Sequence, residues 1–246
     1  MRGYNSYVAP EPRYEYQIDL FYYNNPNADE DTPYGLLAID SFTKYCWIVP
    51  LDKKDSIYWI YGLKVIFEKM GKPKVIYSDP DSSLQANLIK QFFEKENIKW
   101  IQTREHASIA ERAIRTIKNE LDKRIEYHKE SKWYDLIPQV LKKYNEKMVH
   151  SAIGMTPEEA TKEHNEFDVR TKLLLHKIHK RKYPELHIGD RVYIYKKRSK
   201  FAKERESVWD KTERKITNTI DINGQNLYKV SGIDNPVIRS NLLKLD

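Results

Sequence analysis

KVIYSD, residues 74–79, decides how the rest of the chain is read. It is short, apolar and β-branched, and turn-forming residues follow it in PDSSL, residues 80–84. A brief apolar run closed by turn signals predicts a buried strand. The strand ends on a carboxylate, Asp79, with a second, Asp81, beyond Pro80. Asp, Pro and Ser are common turn formers for local reasons. DPDSS alone therefore reads first as a polar turn, with a metal ligand at a strand end as the second reading.

Upstream, YEYQIDLFYY (14–23), YGLLAID (34–40) and YCWIVPL (45–51) are rich in β-formers and predict three strands. SFTK joins the second to the third as a hairpin-like step. Between them and KVIYSD, Ser56 offers a cap for a helix over 57–70, and Gly71 a C-terminal stop. Downstream come a short helix over 83–94, a strand over IKWIQT (98–103) and a long helix over 108–130. Ile114, Ile117, Leu121 and Ile125 form the apolar stripe of that helix. A further helix is expected over 133–150. Thr156-Pro157-Glu158-Glu159 predicts another helix start, with cap, proline and capping-box Glu in order. Strands that alternate with helices after an antiparallel start imply an α/β fold with a mixed five-stranded sheet and flanking helices. TKLLLHKIHKRK, residues 171–182, has the look of a basic helical connector. From residue 186 the chain turns to short β-like runs with turn signals at Asn223-Gly224 and Asp234-Asn235-Pro236. A separate small all-β domain is expected there.

Forty per cent hydrophobic residues, with 18 Tyr and 5 Trp, support a packed core and exclude a disordered chain. A single cysteine, Cys46, excludes a disulfide framework and any zinc site needing two thiolates from this chain. The opening MRGYNSYVAPEP lacks the apolar stretch of a signal peptide, and no run approaches the roughly 20 apolar residues of a membrane span. A soluble protein that is neither secreted nor membrane-bound is expected. The net charge of +7 is uneven: residues 170–246 carry +10 and residues 1–169 carry −3. A basic tail on a mildly acidic body points to a polyanion partner. Within it, Lys196, Lys197, Arg198, Lys200 and Lys203 are candidate phosphate contacts; they and HKRK (179–182) also fit a nuclear localisation signal.

Three carboxylates stand out by placement: Asp19 within the first strand, Asp79 at the end of the fourth, and Glu111 near the start of the long helix. Acids in apolar strands need compensation. A divalent cation supplies it, since Mg²⁺ takes hard oxygen ligands. Singly, Asp19 reads equally as a solvent-facing residue, Glu111 as an acid favoured by the helix dipole, and Asp40 is as good a candidate as either. Glu111, Arg115 and Lys118 share one face of the long helix.

Taken in order, these stretches resemble the retroviral-type DDE integrase superfamily, and most nearly the integrases of Polinton/Maverick elements and virophages. YEYQIDL resembles the strand of the first catalytic Asp, LLAIDSFTKYCWIVPL the next two strands and KVIYSD the strand of the second Asp. ASIAERAIRTIKNEL resembles the helix of the catalytic Glu, and YNEKMVHSAIGMTPEEA the segment after it. IGDRVYI and NLLKL resemble the SH3- or chromo-like C-terminal barrel. The resemblance implies an N-terminal arm (1–13), an RNase H-like catalytic core (14–165), a basic helical linker (166–185) and an SH3-like DNA-binding domain (186–246). It matches Asp19, Asp79 and Glu111 to the metal-binding triad, with two Mg²⁺ or Mn²⁺ ions, and Arg115 and Lys118 to DNA-facing positions. Asp40 has no counterpart in the triad.

The implied activity is polynucleotidyl transfer on DNA: 3′-end processing, then strand transfer of mobile-element or viral DNA into a target. The implied setting is a homo-oligomer on DNA in a host nucleus or virion. An integrase-derived DNA-binding protein without catalysis is the alternative. Two departures motivate it. Asp79-Pro80-Asp81 replaces the family's Asp-x-Gly, and the 31 residues between Asp79 and Glu111 are fewer than usual. No His-His-Cys-Cys zinc module precedes the core within this sequence, so such a module is either upstream in a longer product or absent.

Overall fold

The computed structural model describes residues 8–28, 31–79, 87–102, 107–178, 183–196, 207–222 and 225–245. These fall into two compact units, one built from residues up to 176 and the other from residues 177 onward.

In the first unit, β1 (Glu15–Tyr22), β2 (Tyr34–Asp40) and β3 (Cys46–Leu51) form an antiparallel meander. β4 (Val75–Ser78) and β5 (Lys99–Gln102) add in parallel on the other side of β1, so the sheet order is β3-β2-β1-β4-β5. KVIYSD is thus the strand that turns a meander into a mixed sheet. Helices cover both faces, and strand alternation sorts the side chains between them. Tyr16 and Ile18 of β1 point into the core shared with α1 (Ser56–Met70) and α2 (Asn87–Lys95). Phe21 points the other way, into the core shared with α3 (Ser108–Tyr127) and α4 (Ile137–Lys142). Gln17 and Asp19 alternate in step with Phe21, so the α3 face of β1 carries both polar residues.

The first helix begins one residue earlier than its sequence suggests. Asp55, not Ser56, is the cap, and its carboxylate accepts the N–H groups of Ile57 and Tyr58 at 3.1 and 3.2 Å. A charged acceptor suits the helix dipole better than a hydroxyl. Gly71 ends this helix as expected, at φ 86°, where a side chain would be strained. Of α2, the described part begins at Asn87; the expected start at 83 lies outside the described residues.

The expected continuous helix over 133–150 is instead three pieces: a 3-10 turn (Trp133–Leu136), α4, and a π-turn (Lys143–Lys147). The π-turn faces Asn145 inward. Its carboxamide accepts the Cys46 N–H at 3.1 Å and donates to the Cys46 carbonyl at 2.9 Å, as a neighbouring strand would. β3 is an edge strand, and this side chain closes part of the edge. Thr156 and Glu159 make the reciprocal capping box at the start of α5 (Pro157–Ala160). The connector segment is helical, α6 (Glu166–Ile178), with Val169 and Leu173 buried.

The second unit is a five-stranded antiparallel sheet, β10-β6-β7-β8-β9, made of β6 (Arg191–Tyr195), β7 (Trp209–Ile222), β8 (Gln225–Val230), β9 (Val237–Ile238) and β10 (Leu242–Lys244). Its core is small: Leu186, Val192, Ile194, Ile216, Tyr228, Val230, Val237 and Leu242. β7 starts at Trp209, earlier than the apolar pattern indicates, because its polar first half pairs with β6 through Tyr195–Trp209 and Ile194–Asp210. The Asn223-Gly224 turn lies outside the described residues. Among the described residues no helix is long and apolar enough to cross a membrane.

Candidate active site

Three elements of the first unit bring the predicted carboxylates to one end of the sheet. β1 and β4 are parallel, and their last register pair is Ile18–Ser78. Asp19 and Asp79 stand one step beyond it, side by side in sequence register. α3 lies on the face of β1 that bears Gln17, Asp19 and Phe21, and Glu111 is in its first turn. All three acids are partly exposed.

The start of α3 is held from outside the helix. Its cap residue is Ala107, which has no side-chain oxygen to offer. Asp79 Oδ1 accepts the Ala107 N–H. Gln17 Oε1 accepts the N–H groups of Ile109 at 2.9 Å and Ala110 at 3.4 Å. Donors that a helix leaves unpaired at its N-terminus are therefore taken by β1 and by the end of β4. Asp19 accepts the N–H of its neighbour Leu20 at 2.8 Å.

Along α3, Ala110, Ala113, Ile114, Ile117 and Leu121 are buried. The predicted DNA-facing positions flank this stripe. Arg115 is exposed, and the Lys118 ammonium lies 5.7 Å from the centre of the Phe21 ring. That ring covers Gly35 on β2 and occupies the space a Cβ there would need. Lys196 belongs to the second unit, where its N–H donates to the Val208 carbonyl at 2.6 Å. Lys197, Arg198, Lys200 and Lys203 lie outside the described residues, as do Pro80 and Asp81.

Three carboxylates are the hard-oxygen donor set that Mg²⁺ takes. Among the described residues, however, no group of three His, Cys, Asp or Glu stands close enough to hold an ion. One carboxylate of the set, Asp79, is directed at the α3 start. The donor chemistry fits a divalent cation; the three acids are grouped at one end of the sheet without being gathered around a single point.

Asp40 has a different role. It is buried, with Oδ2 accepting the Arg13 N–H and Oδ1 the Phe42 N–H, at 2.9 and 2.8 Å. Burial raises its pKa, and these bonds partly oppose the rise. Beside it, Ser41 Oγ donates to Glu15 at 2.9 Å, and the Lys44 ammonium donates to the Ser41 carbonyl at 2.6 Å. Burial pushes Glu15 up to about 7 and Lys44 down to about 8, each partly offset by the other's charge. The DSFTK turn is thus a buried polar knot that organises the start of β1. The HSAIGM stretch is likewise structural: His150 pairs with Met155, and its ring meets the Tyr144 ring edge-on at 4.5 Å. Sequence reasoning missed Gln17 and Glu15. A polar residue on the helix-facing side of an otherwise apolar strand was the available signal.

No protein-family model matches the chain. Among curated proteins it is 26% identical over 163 residues to the retrovirus-related Pol polyprotein from transposon 297 of Drosophila melanogaster, covering 61% of this chain and 14% of that protein. It is 27% identical over 177 residues to a transposon-derived protein of Caenorhabditis elegans, covering 71% of this chain and 59% of that one. The chain therefore spans less than two thirds of the length of either relative. Among solved structures, the catalytic core domain of HTLV-2 integrase in complex with magnesium matches 63% of this chain and 99% of its own, with TM-score 0.55 and 20% identity. A chain of the simian T-cell lymphotropic virus intasome, solved with the PP2A regulatory subunit B56 gamma, matches 100% of this chain and 83% of its own, with TM-score 0.67 and 14% identity.

Proposed function

We propose that this chain, which shares its fold with the retroviral-type integrases and its sequence likeness with retroviral and transposon polyproteins, is a DNA integrase or transposase acting by polynucleotidyl transfer. One observation carries the reading: β1, the end of β4 and the first turn of α3 bring Asp19, Asp79 and Glu111 to one end of the sheet of this fold. These three would hold two Mg²⁺ or Mn²⁺ ions. Such ions, when bound, stabilise the attacking and leaving oxygens of a phosphodiester.

The chain's own groups do the positioning. Arg115 and Lys118 follow Glu111 along one helix face and would hold DNA phosphates beside it. In the second unit, an SH3-like DNA-binding domain on this reading, the basic residues from Lys196 to Lys203 would grip the backbone without reading sequence. The substrates are the ends of a mobile element or virus and a target duplex. Water attacks near a 3′ end, and the freed 3′-hydroxyl then attacks the target phosphodiester. The protein would act as a homo-oligomer on DNA, in a host nucleus or in a virion. The domain limits at 14–165, 166–185 and 186–246 belong to the same reading.

The bond from Ala107 to Asp79 favours a second reading, an integrase-derived DNA-binding protein without catalysis. One assay separates the two. The protein is incubated with blunt or pre-processed element-end DNA, a target plasmid, and Mg²⁺ or Mn²⁺. Joined products that disappear in Asp79→Asn and Glu111→Gln support the enzyme. Tight DNA binding with no cleavage or joining under either metal supports the inactive binder.

A further inference from the structure

We propose that Gln17 is a positioning residue, which pins the first turn of α3 to β1 and so sets where Glu111 stands relative to Asp19. The proposal rests on the carboxylate site described above and names what holds it together.

Gln17 and Asp19 sit two residues apart on one face of one strand. Gln17 is buried, and its Oε1 accepts two backbone donors of α3, from Ile109 and Ala110. Glu111 follows Ala110 directly. Ala107 offers no cap of its own, so the register of this helix end depends on acceptors outside it. The Gln17 side chain also hydrogen-bonds Glu15. The Gln17 oxygen faces α3, which leaves its amide nitrogen as the group that faces Glu15. Glu15 is itself held by the Ser41 hydroxyl. An unbroken polar chain therefore runs from the DSFTK turn through Glu15 and Gln17 to the helix bearing Glu111. Outer-shell partners of this kind fix the direction of ligands they do not replace.

The test uses the full chain and Mn²⁺ alone, with no DNA. Gln17→Met keeps the length of the side chain and removes its acceptor. The expected result is faster hydrogen exchange at the Ile109 and Ala110 amides and Mn²⁺ affinity about 10-fold weaker, both read at a temperature where parent and variant are fully folded. Gln17→Glu, which restores an acceptor, should return slow exchange to both amides. Should Gln17→Met not fold, Gln17→Asn, one carbon too short to reach, should show the same two losses. Unchanged exchange, or unchanged Mn²⁺ affinity in a variant whose parent binds the ion, overturns the positioning role alone. A parent protein that binds no Mn²⁺ overturns the carboxylate site and the positioning role together.

Discussion

Asp40 and Asp79 both end β-rich runs, and nothing in their flanking letters separates them. Their surroundings do. Asp40 is buried with both oxygens on backbone donors, whereas Asp79 is partly exposed at the sheet end beside Asp19. Only the ordered resemblance told them apart in the sequence. Glu15 shows how strongly burial acts on a single acid. Its ordinary value of 4.5 is pushed to about 7 by burial, against the hydrogen bond from Ser41 and the charge of Lys44. Between those values the folded chain keeps a proton that the unfolded chain has released. The stability this provides is full below the unfolded value and is lost as pH rises through the folded one. Wild-type unfolding free energy in urea should therefore fall between about pH 5 and pH 8 by up to about 3 kcal/mol more than that of Glu15→Gln. Equal falls in the two proteins would contradict a protonated, buried Glu15.

At the scale of elements, the sheet was legible because its strands are short, apolar and punctuated by turn residues. The α3 stripe was legible because its spacing is helical. Two features were not. The helix expected over 133–150 breaks because Asn145 bonds to Cys46, 99 residues away in sequence, and no local pattern encodes such a pairing. The polar first half of β7 is a strand because β6 pairs with it. The same logic covers the site: Asp19, Asp79 and Glu111 came from motif order, while Gln17 has no periodic signature. Asn145→Ala strips the partners from both Cys46 backbone groups while leaving the helix propensity no worse. It should lower stability by about 2–3 kcal/mol in denaturant unfolding. A loss no larger than that of an exposed substitution would mean that the edge of β3 does not depend on this side chain.

Across the whole molecule, charge and the proposed functions divide along the chain. The proposed metal ligands lie in the mildly acidic part, and the basic surplus lies in the part that includes the second unit. DNA affinity should then be carried largely by counterion release from the tail. Replacing Lys196, Lys197, Arg198, Lys200 and Lys203 with Ala should make the plot of log Kd against log salt shallower by about 0.9 for each duplex phosphate no longer neutralised. An unchanged slope would remove these residues from the DNA interface. The fully buried Cys46 has a consequence of its own. It is the sole thiol of the chain, and burial holds its pKa well above the usual range. Copies of the folded chain are therefore not joined to one another through this buried sulfur. A thiol reagent added to the native protein meets this sulfur only when the sheet parts, which turns its slow uptake into a clock for that opening.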